Sequence, residues 1–358
     1  MPNQLIFYVD PDAGADVRAV IDPGGTEETT FDIHSYMTIA LGKKMIGSWS
    51  LDDSKAVYAY TKPVLNGAIA TTDFHPPAPS AAWTFKNDQP FPIRVTQDRM
   101  YVNASVNGVP GRFLIDTGAG EIALTDDFAN RAHVRTTGHG SSETIGGVAK
   151  TLIRSADTIE IGGNVLSNVL VSTFDNKIDD QNYHETVDGL VGFDIFAGTL
   201  VDLNLSNSTM RIRDGATELP SISGGVPIIV SLTQGVPVVP MQLDGKVGVN
   251  ATLDTGNPDI VLISRDVRDH GIAMVSLQGG GFLNSNAIIE GVGGQEDRVY
   301  CGTLDKITLG PLVYTGMSVC ESYQQSLHDA LVEFDFLNHF DYIFDYPRSE
   351  IIMIPHKD

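Results

Sequence analysis

Cysteine is nearly absent, with only Cys301 and Cys320 among 358 residues. Two cysteines cannot make a disulfide scaffold or a zinc site built from a cysteine cluster. Positive charge is also in short supply. Against 45 Asp and Glu stand 23 Lys and Arg, a formal net charge of −22. Such a chain repels phosphate backbones and anionic bilayers, so no nucleic acid partner is expected. Long hydrophobic runs are missing: apolar clusters such as Val226-Pro227-Ile228-Ile229-Val230 are far shorter than the roughly 18 residues of a spanning helix, and no membrane insertion is expected. The histidines show no His-x-x-x-His spacing, so no metal site is expected. Gly279-Gly280-Gly281 has neither the lysine nor the strand–helix context of a phosphate loop, and no cofactor is expected. Met1-Pro2-Asn3-Gln4 carries no basic charge, and Leu5–Val9 is too short for the apolar region of a signal peptide. That leaves two readings of localisation open: cytoplasmic, or secreted or periplasmic with the signal peptide removed.

Aromatics are only 8% of the chain, whereas glycine numbers 36 and proline 18. With many Val, Ile and Thr, this composition points to short strands and tight turns, hence a mostly β protein. Residues 1–75 read as an N-terminal β-rich domain, with alternating runs at Gln4–Val9, Asp16–Ile21, Thr29–Ala40, Met45–Leu51 and Ala56–Tyr60. Residues 76–90, which open with Pro76-Pro77-Ala78-Pro79, read as a Pro-rich linker. Residues 1–85 hold 5 basic and 10 acidic side chains, a balance of −5, so this segment does not serve to mask an acidic cleft by charge. An appended β domain for docking or positioning is the expectation.

From about residue 90 the chain repeats itself. Phe113-Leu114-Ile115-Asp116-Thr117-Gly118 returns as Ala251-Thr252-Leu253-Asp254-Thr255-Gly256, with 138 residues between the two aspartates (254 − 116). Each copy follows a strand–turn–strand pattern and precedes a short helical signal, capped by Thr125 in one half and Ser264 in the other. Further matches follow in order: Ile145-Gly146-Gly147 with Val292-Gly293-Gly294, and Leu190-Val191-Gly192 with Leu331-Val332-Glu333. Closing strands at Thr209–Arg213 and Glu350–Ile354 complete each half. The reading is two homologous lobes, 91–218 and 219–358.

Two Asp-Thr-Gly loops at matched places point to a specific chemistry. An aspartate ending a buried strand presents its carboxylate at the lobe surface. The glycine after it lets the chain turn so that an N–H reaches that carboxylate. The threonine hydroxyl can bond across to the opposite loop. If the lobes face each other, Asp116 and Asp254 lie side by side, share a proton and titrate as a pair. One can then take a proton from water while the other donates to a carbonyl oxygen.

The sequence resembles the aspartic peptidases, specifically the bacterial, retropepsin-like or pepsin-like type with two lobes in one chain. Phe113–Ala119 and Thr252–Asn257 are similar to the family's two active-site loops, and Leu190-Val191-Gly192 to its downstream hydrophobic–hydrophobic–Gly element. The resemblance implies two β-barrel lobes related by a pseudo-two-fold axis, an aspartic endopeptidase activity on peptide or protein substrates, and a monomer. It implies Asp116 and Asp254 as catalytic residues, supported by Thr117, Gly118, Thr255, Gly256 and Asn257. Ile145, Gly146 and Gly147, with Gly293 and Gly294, are then expected at flaps over the cleft. This chain departs from the pattern at Ala119, at Asn257, which can still donate to Asp254, and at Glu333, which replaces a glycine. A buried glutamate there is costly unless paired. The competing reading is a pepsin-fold module that binds peptides without cutting them. Cys301 and Cys320 flank a hairpin expected to turn near Gly310-Pro311, leaving a disulfide and two separate thiols both open.

Overall fold

A computed structural model of the chain describes residues 4–10, 15–22, 29–38, 44–51, 58–59, 81–144, 147–174, 178–180, 185–219, 221–258, 261–264, 267, 283–290, 296–322 and 329–356. The chain divides into two compact units, Met1–Pro77 and Ala78–Asp358.

In the first unit, the five alternating runs form five strands in sequence order: β1 (Gln4–Asp10), β2 (Ala15–Asp22), β3 (Thr29–Thr38), β4 (Lys44–Leu51) and β5 (Tyr58–Ala59). All neighbours are antiparallel, a meander that follows from short turn segments between period-two runs.

The second unit begins inside the segment read as linker. There β6 (Ala82–Thr84) forms, followed by β7 (Phe91–Pro92) and β8 (Arg94–Val95). Trp83 lies opposite Leu166, so part of residues 76–90 is sheet rather than spacer. Pro76, Pro77 and Pro79 precede Ala81, Pro90 follows, and β6 itself contains no proline that would prevent pairing.

The first lobe continues with β9 (Met100–Val106), β10 (Val109–Ile115), β11 (Ala123–Thr125), α1 (Asp126–Arg131), β12 (Arg135–Thr144), β13 (Gly147–Ile161) and β14 (Asn164–Phe174). A small hairpin, β15 (Ile178–Asp180) and β16 (Glu185–Val187), leads to β17 (Gly189–Val191), α2 (Phe193–Phe196), β18 (Thr199–Asn204) and β19 (Thr209–Asp214). The second lobe contains β20 (Val226–Ile229), β21 (Ser231–Thr233), β22 (Val236–Leu243), β23 (Val247–Leu253), β24 (Val261–Ile263), β25 (Leu283–Glu290), β26 (Glu296–Leu309) and β27 (Leu312–Ser322). It ends with β28 (Ala330–Val332), α3 (Phe334–Leu337), β29 (Phe340–Asp345) and β30 (Glu350–Pro355).

Each lobe closes into a ring of six strands. In the first the order is β9–β10–β17–β11–β14–β13, and β13 returns to β9 through pairs such as Ile159 with Val106. In the second it is β22–β23–β28–β24–β27–β26, closed by pairs such as Leu309 with Met241. The senses agree as well. β10–β17 and β11–β14 are parallel and β11–β17 antiparallel, as are β23–β28, β24–β27 and β24–β28 in turn. Closure pairs each ring strand on both sides along part of its length, and alternation sends one face of each inward. Turns are matched too: Asn107 and Gly108 have φ of 49° and 80°, Asp244 and Gly245 51° and 65°, values that Asn, Asp and Gly tolerate in hairpin turns.

A third sheet, β20–β30–β29–β18–β19–β7, joins the lobes. Its centre is the antiparallel pair β18–β29, with Val201 opposite Phe344, Asp202 opposite Ile343 and Leu203 opposite Tyr342. Val191 and Val332 hold equivalent places and are 141 residues apart (332 − 191). Adding 141 to 202 gives 343, so the pseudo-two-fold axis passes through the Asp202–Ile343 pair. The scarce aromatics gather here: Phe196, Phe340, Tyr342, Phe344 and Tyr346 are buried and in ring contact.

The turn at residues 310–311 brings Cys301 directly opposite Cys320. Cys320 is disulfide-bonded, and Cys301 is the chain's other cysteine.

Candidate active site

The two Asp-Thr-Gly loops leave the buried ends of β10 and β23. Phe113, Leu114 and Ile115 are buried, as are Ala251, Thr252 and Leu253, so each strand is fixed on both faces up to its aspartate. The parallel neighbours β17 and β28 extend the ladder by one bond. Asp116 N–H donates to Val191 O at 3.1 Å, and Asp254 N–H to Val332 O at 2.8 Å. Each loop is closed again from the helix after that neighbour: Phe193 N–H donates to Ala119 O and Phe334 N–H to Asn257 O, both at 2.9 Å.

The threonines interlock the loops. Thr117 Oγ donates to Leu253 O at 2.7 Å and accepts from Thr255 N–H at 3.1 Å. Thr255 Oγ donates to Ile115 O at 2.9 Å and accepts from Thr117 N–H at 3.1 Å. Both threonines are buried. These four reciprocal bonds cross the pseudo-two-fold axis and leave no play between the strand ends.

The glycines bring the carboxylates together. Gly118 N–H donates to Asp116 Oδ1 at 2.9 Å, and Gly256 N–H to Asp254 Oδ1 at 2.8 Å. A Cβ on Gly118 would stand 2.4 Å from Asp254 Cγ, and one on Gly256 the same distance from Asp116 Cγ. Each carboxylate therefore lies over the other loop's glycine. Both aspartates are only partly buried, leaving the pair open on one side. Burial first, then the charge of Asp254 and a hydrogen bond to it, push the Asp116 carboxyl well above its ordinary 3.8; the N–H groups of Gly118 and Ala119 oppose this.

Asn257 reaches beyond its own loop. Its Nδ2 donates to Glu333 Oε1 at 2.7 Å, and Glu333 is completely buried. The two departures from the family pattern in the second lobe thus meet each other. At the equivalent place in the first lobe, Gly192 packs so tightly that a Cβ would lie 2.4 Å from the carbonyl oxygens of Ala119 and Glu121.

Three supports were not picked out from the sequence. Asp188 Oδ2 accepts from Arg112 N–H at 3.0 Å, and Asp329 Oδ2 from Asn250 N–H at 2.9 Å. These equivalent aspartates tie the strands that carry the loops, and extending the repeat by one residue before Ala330 would have revealed them. Asp194 Oδ2 accepts from Ile122 N–H at 2.8 Å, pinning α2 to the chain beyond the first loop. Burial, opposed by that bond and reinforced by Glu121, raises the Asp194 carboxyl to about 6.

The first expected flap is the hairpin of β12 and β13. Thr144 pairs with Gly147, which opens β13. Ile145 and Gly146 lie outside the described residues, as do Gly293 and Gly294. On the near side, Ser142 Oγ donates to Glu121 Oε1 at 3.4 Å, joining the hairpin to the segment just beyond the Asp116 loop.

Residues 102–195 match a family described as aspartyl protease. The matched stretch runs from β9 into α2 and contains Asp116, Thr117, Gly118 and the Leu190-Val191-Gly192 element. The backbone hydrogen bonds around Asp116 have counterparts around Asp254 in the second lobe. No curated protein matches the chain.

Proposed function

We propose that the chain is an aspartic endopeptidase of the retropepsin-like type in which an internal duplication supplies both catalytic aspartates. The observation that carries this reading is the crossed approach of Gly118 to the Asp254 carboxylate and of Gly256 to that of Asp116. Two carboxylates in such contact hold one proton between them. The ionised oxygen accepts a proton from a water bound between them as the water oxygen attacks the scissile carbonyl carbon. The protonated oxygen donates to the carbonyl oxygen, giving a neutral tetrahedral diol. Return of that proton to the carboxylate, and transfer of the other to the leaving nitrogen, breaks the C–N bond and restores the pair.

Asp116 and Asp254 are the catalytic residues. Thr117, Thr255, Gly118 and Gly256 position them. The β12–β13 hairpin, with Ile145, Gly146 and Gly147, serves as a flap over an extended peptide, and the Ser142–Glu121 contact supports its place beside the first loop. The hairpin that holds Gly293 and Gly294 is its counterpart. One chain supplies both aspartates, so the active unit is a monomer. The disulfide at Cys320 favours an oxidising compartment, secreted or periplasmic. The competing reading, a binding module without cleavage, rests on Glu333 and Asn257; their hydrogen bond to each other gives the buried carboxyl a partner, which supports a catalytic loop that is held in place.

The test is cleavage of a peptide library across acid and neutral pH by the purified chain, with and without pepstatin. Pepstatin-sensitive cleavage is the expected result. Absence of cleavage at every pH, with intact fold, overturns the reading.

A further inference from the structure

The two lobes hold their catalytic loops by different means. Under Asp116 the loop rests on backbone contact: Ala119 and Gly192 meet with no room for a Cβ between them. Under Asp254 the equivalent pair is Asn257 and Glu333, joined through side chains at 2.7 Å. The backbone frames are otherwise matched, since Phe193 N–H reaches Ala119 O as Phe334 N–H reaches Asn257 O. Glu333 also has no exposed surface, whereas Asn257, one residue beyond Gly256, is partly exposed.

We propose that Asn257 and Glu333 are a positioning pair that sets the height and tilt of the Asp254 loop, in place of the close Ala–Gly packing beneath Asp116. The proposal rests on the peptidase reading above. Its physical basis is twofold. A glutamate at position 333 brings a Cβ and a longer side chain to a place where the first lobe has none, so the second loop cannot settle onto its support as the first does. The Asn257 amide then fixes the separation with a hydrogen bond to a buried carboxyl inside the protein, where such a bond is costly to lose. Gly256 immediately precedes Asn257, and its N–H orients the Asp254 carboxylate. A shift of the Asn257 side chain is therefore passed to the reacting oxygen through two residues of chain.

The pair acts through Asp254, so its loss should appear in turnover more than in substrate binding. Asn257→Ala removes the amide donor from a buried carboxyl. We expect kcat to fall by about 10- to 100-fold with KM within about threefold, the scale of small misplacements in a reacting pair. Glu333→Gln keeps an oxygen acceptor for the amide and should retain most of the wild-type kcat. Asn257→Ala combined with Glu333→Gly installs the first lobe's solution and should recover at least half of the logarithmic loss in kcat.

Steady-state kinetics of the wild type and these three variants, with melting temperatures to verify folding, test the proposal. Affinity for a statine-type ligand that spans both aspartates gives a second readout of loop position, should follow kcat, and replaces kinetics for any variant too weak to assay. An Asn257→Ala enzyme with unchanged kcat and ligand affinity overturns the proposal while leaving the peptidase reading intact. So does a double variant no better than Asn257→Ala, or a Glu333→Gln enzyme as impaired as Asn257→Ala. A variant that does not fold ascribes the pair to stability alone and overturns it as well. A wild type that neither cleaves nor binds takes down the peptidase reading, and this proposal with it.

Discussion

Gly118 lies against the carboxylate of Asp254 so closely that a single added carbon would stand 2.4 Å from Asp254 Cγ. Gly256 has the same relation to Asp116. Real Cβ atoms do not approach that near, so alanine at either position must push the opposing carboxylate aside. Gly118→Ala and Gly256→Ala should each lower kcat by at least about 100-fold, given the sensitivity of reacting groups to displacement on the 1 Å scale. A peptide-cleavage assay checks this, and near-normal turnover in either variant would contradict the crossed geometry.

Asp116→Asn and Asp254→Asn should each abolish cleavage, since neither amide can serve in the proton exchange. For Asp116 the effect on stability has the opposite sign. Its folded carboxyl titrates above the ordinary value, mainly through burial, so its ionisation opposes folding as pH rises past 3.8. Asp116→Asn should therefore melt higher than wild type at pH 7. The advantage should shrink as pH falls and disappear below about 3.8, where the carboxyl is protonated in both states. Melting curves of both proteins at several pH values are the measurement.

Thr117→Ala removes a buried hydroxyl that donates to Leu253 O and accepts from Thr255 N–H. Two buried backbone groups then lose a partner. The expected loss is about 2–3 kcal/mol of stability, by the usual cost of such groups, together with a fall in kcat. Thr117→Ser keeps the hydroxyl and should lie within about 1 kcal/mol of wild type, the scale of a lost methyl group. Urea denaturation of the two variants separates these outcomes.

Asp194 introduces a second pH dependence. Its folded value of about 6 exceeds the ordinary 3.8, so the folded state binds this proton more tightly than the unfolded chain does. Stability falls as pH rises through the interval from 3.8 to about 6 and is level above it. Asp194→Asn retains an acceptor for Ile122 N–H and removes the ionisation. Relative to wild type it should gain stability across that interval, and a constant difference from pH 4 to 7 would refute the assignment.

If one chain supplies the whole catalytic pair, specific activity should not depend on enzyme concentration. Serial dilution well below the micromolar range should leave activity per milligram unchanged. A steep fall would mean that a second copy completes the site.

The sequence alone determined the repeat, and through it much of the architecture. Two Asp-Thr-Gly triplets at the ends of apolar runs, each followed by a capped helix signal, a Gly pair and a hydrophobic–hydrophobic element, are local patterns, and local patterns survive in a linear text. Turn chemistry was equally legible: Asn107-Gly108 and Asp244-Gly245 form turns where their residue types require them. So was the Thr125 cap, which accepts from Phe128 N–H. What only the tertiary structure decided concerns groups far apart in the chain. The start of the second unit within the linker segment depended on β14 offering an edge to Trp83. That Asn257 bonds Glu333 could not be read from its neighbours, because Glu333 is 76 residues away and only the fold delivers it. The raised titration of Asp194 likewise arises from burial under a loop more than 70 residues earlier. Hydrogen-bond choice and desolvation are set by what the completed fold brings within about 3 Å, and a residue's identity says only which bonds it is able to make.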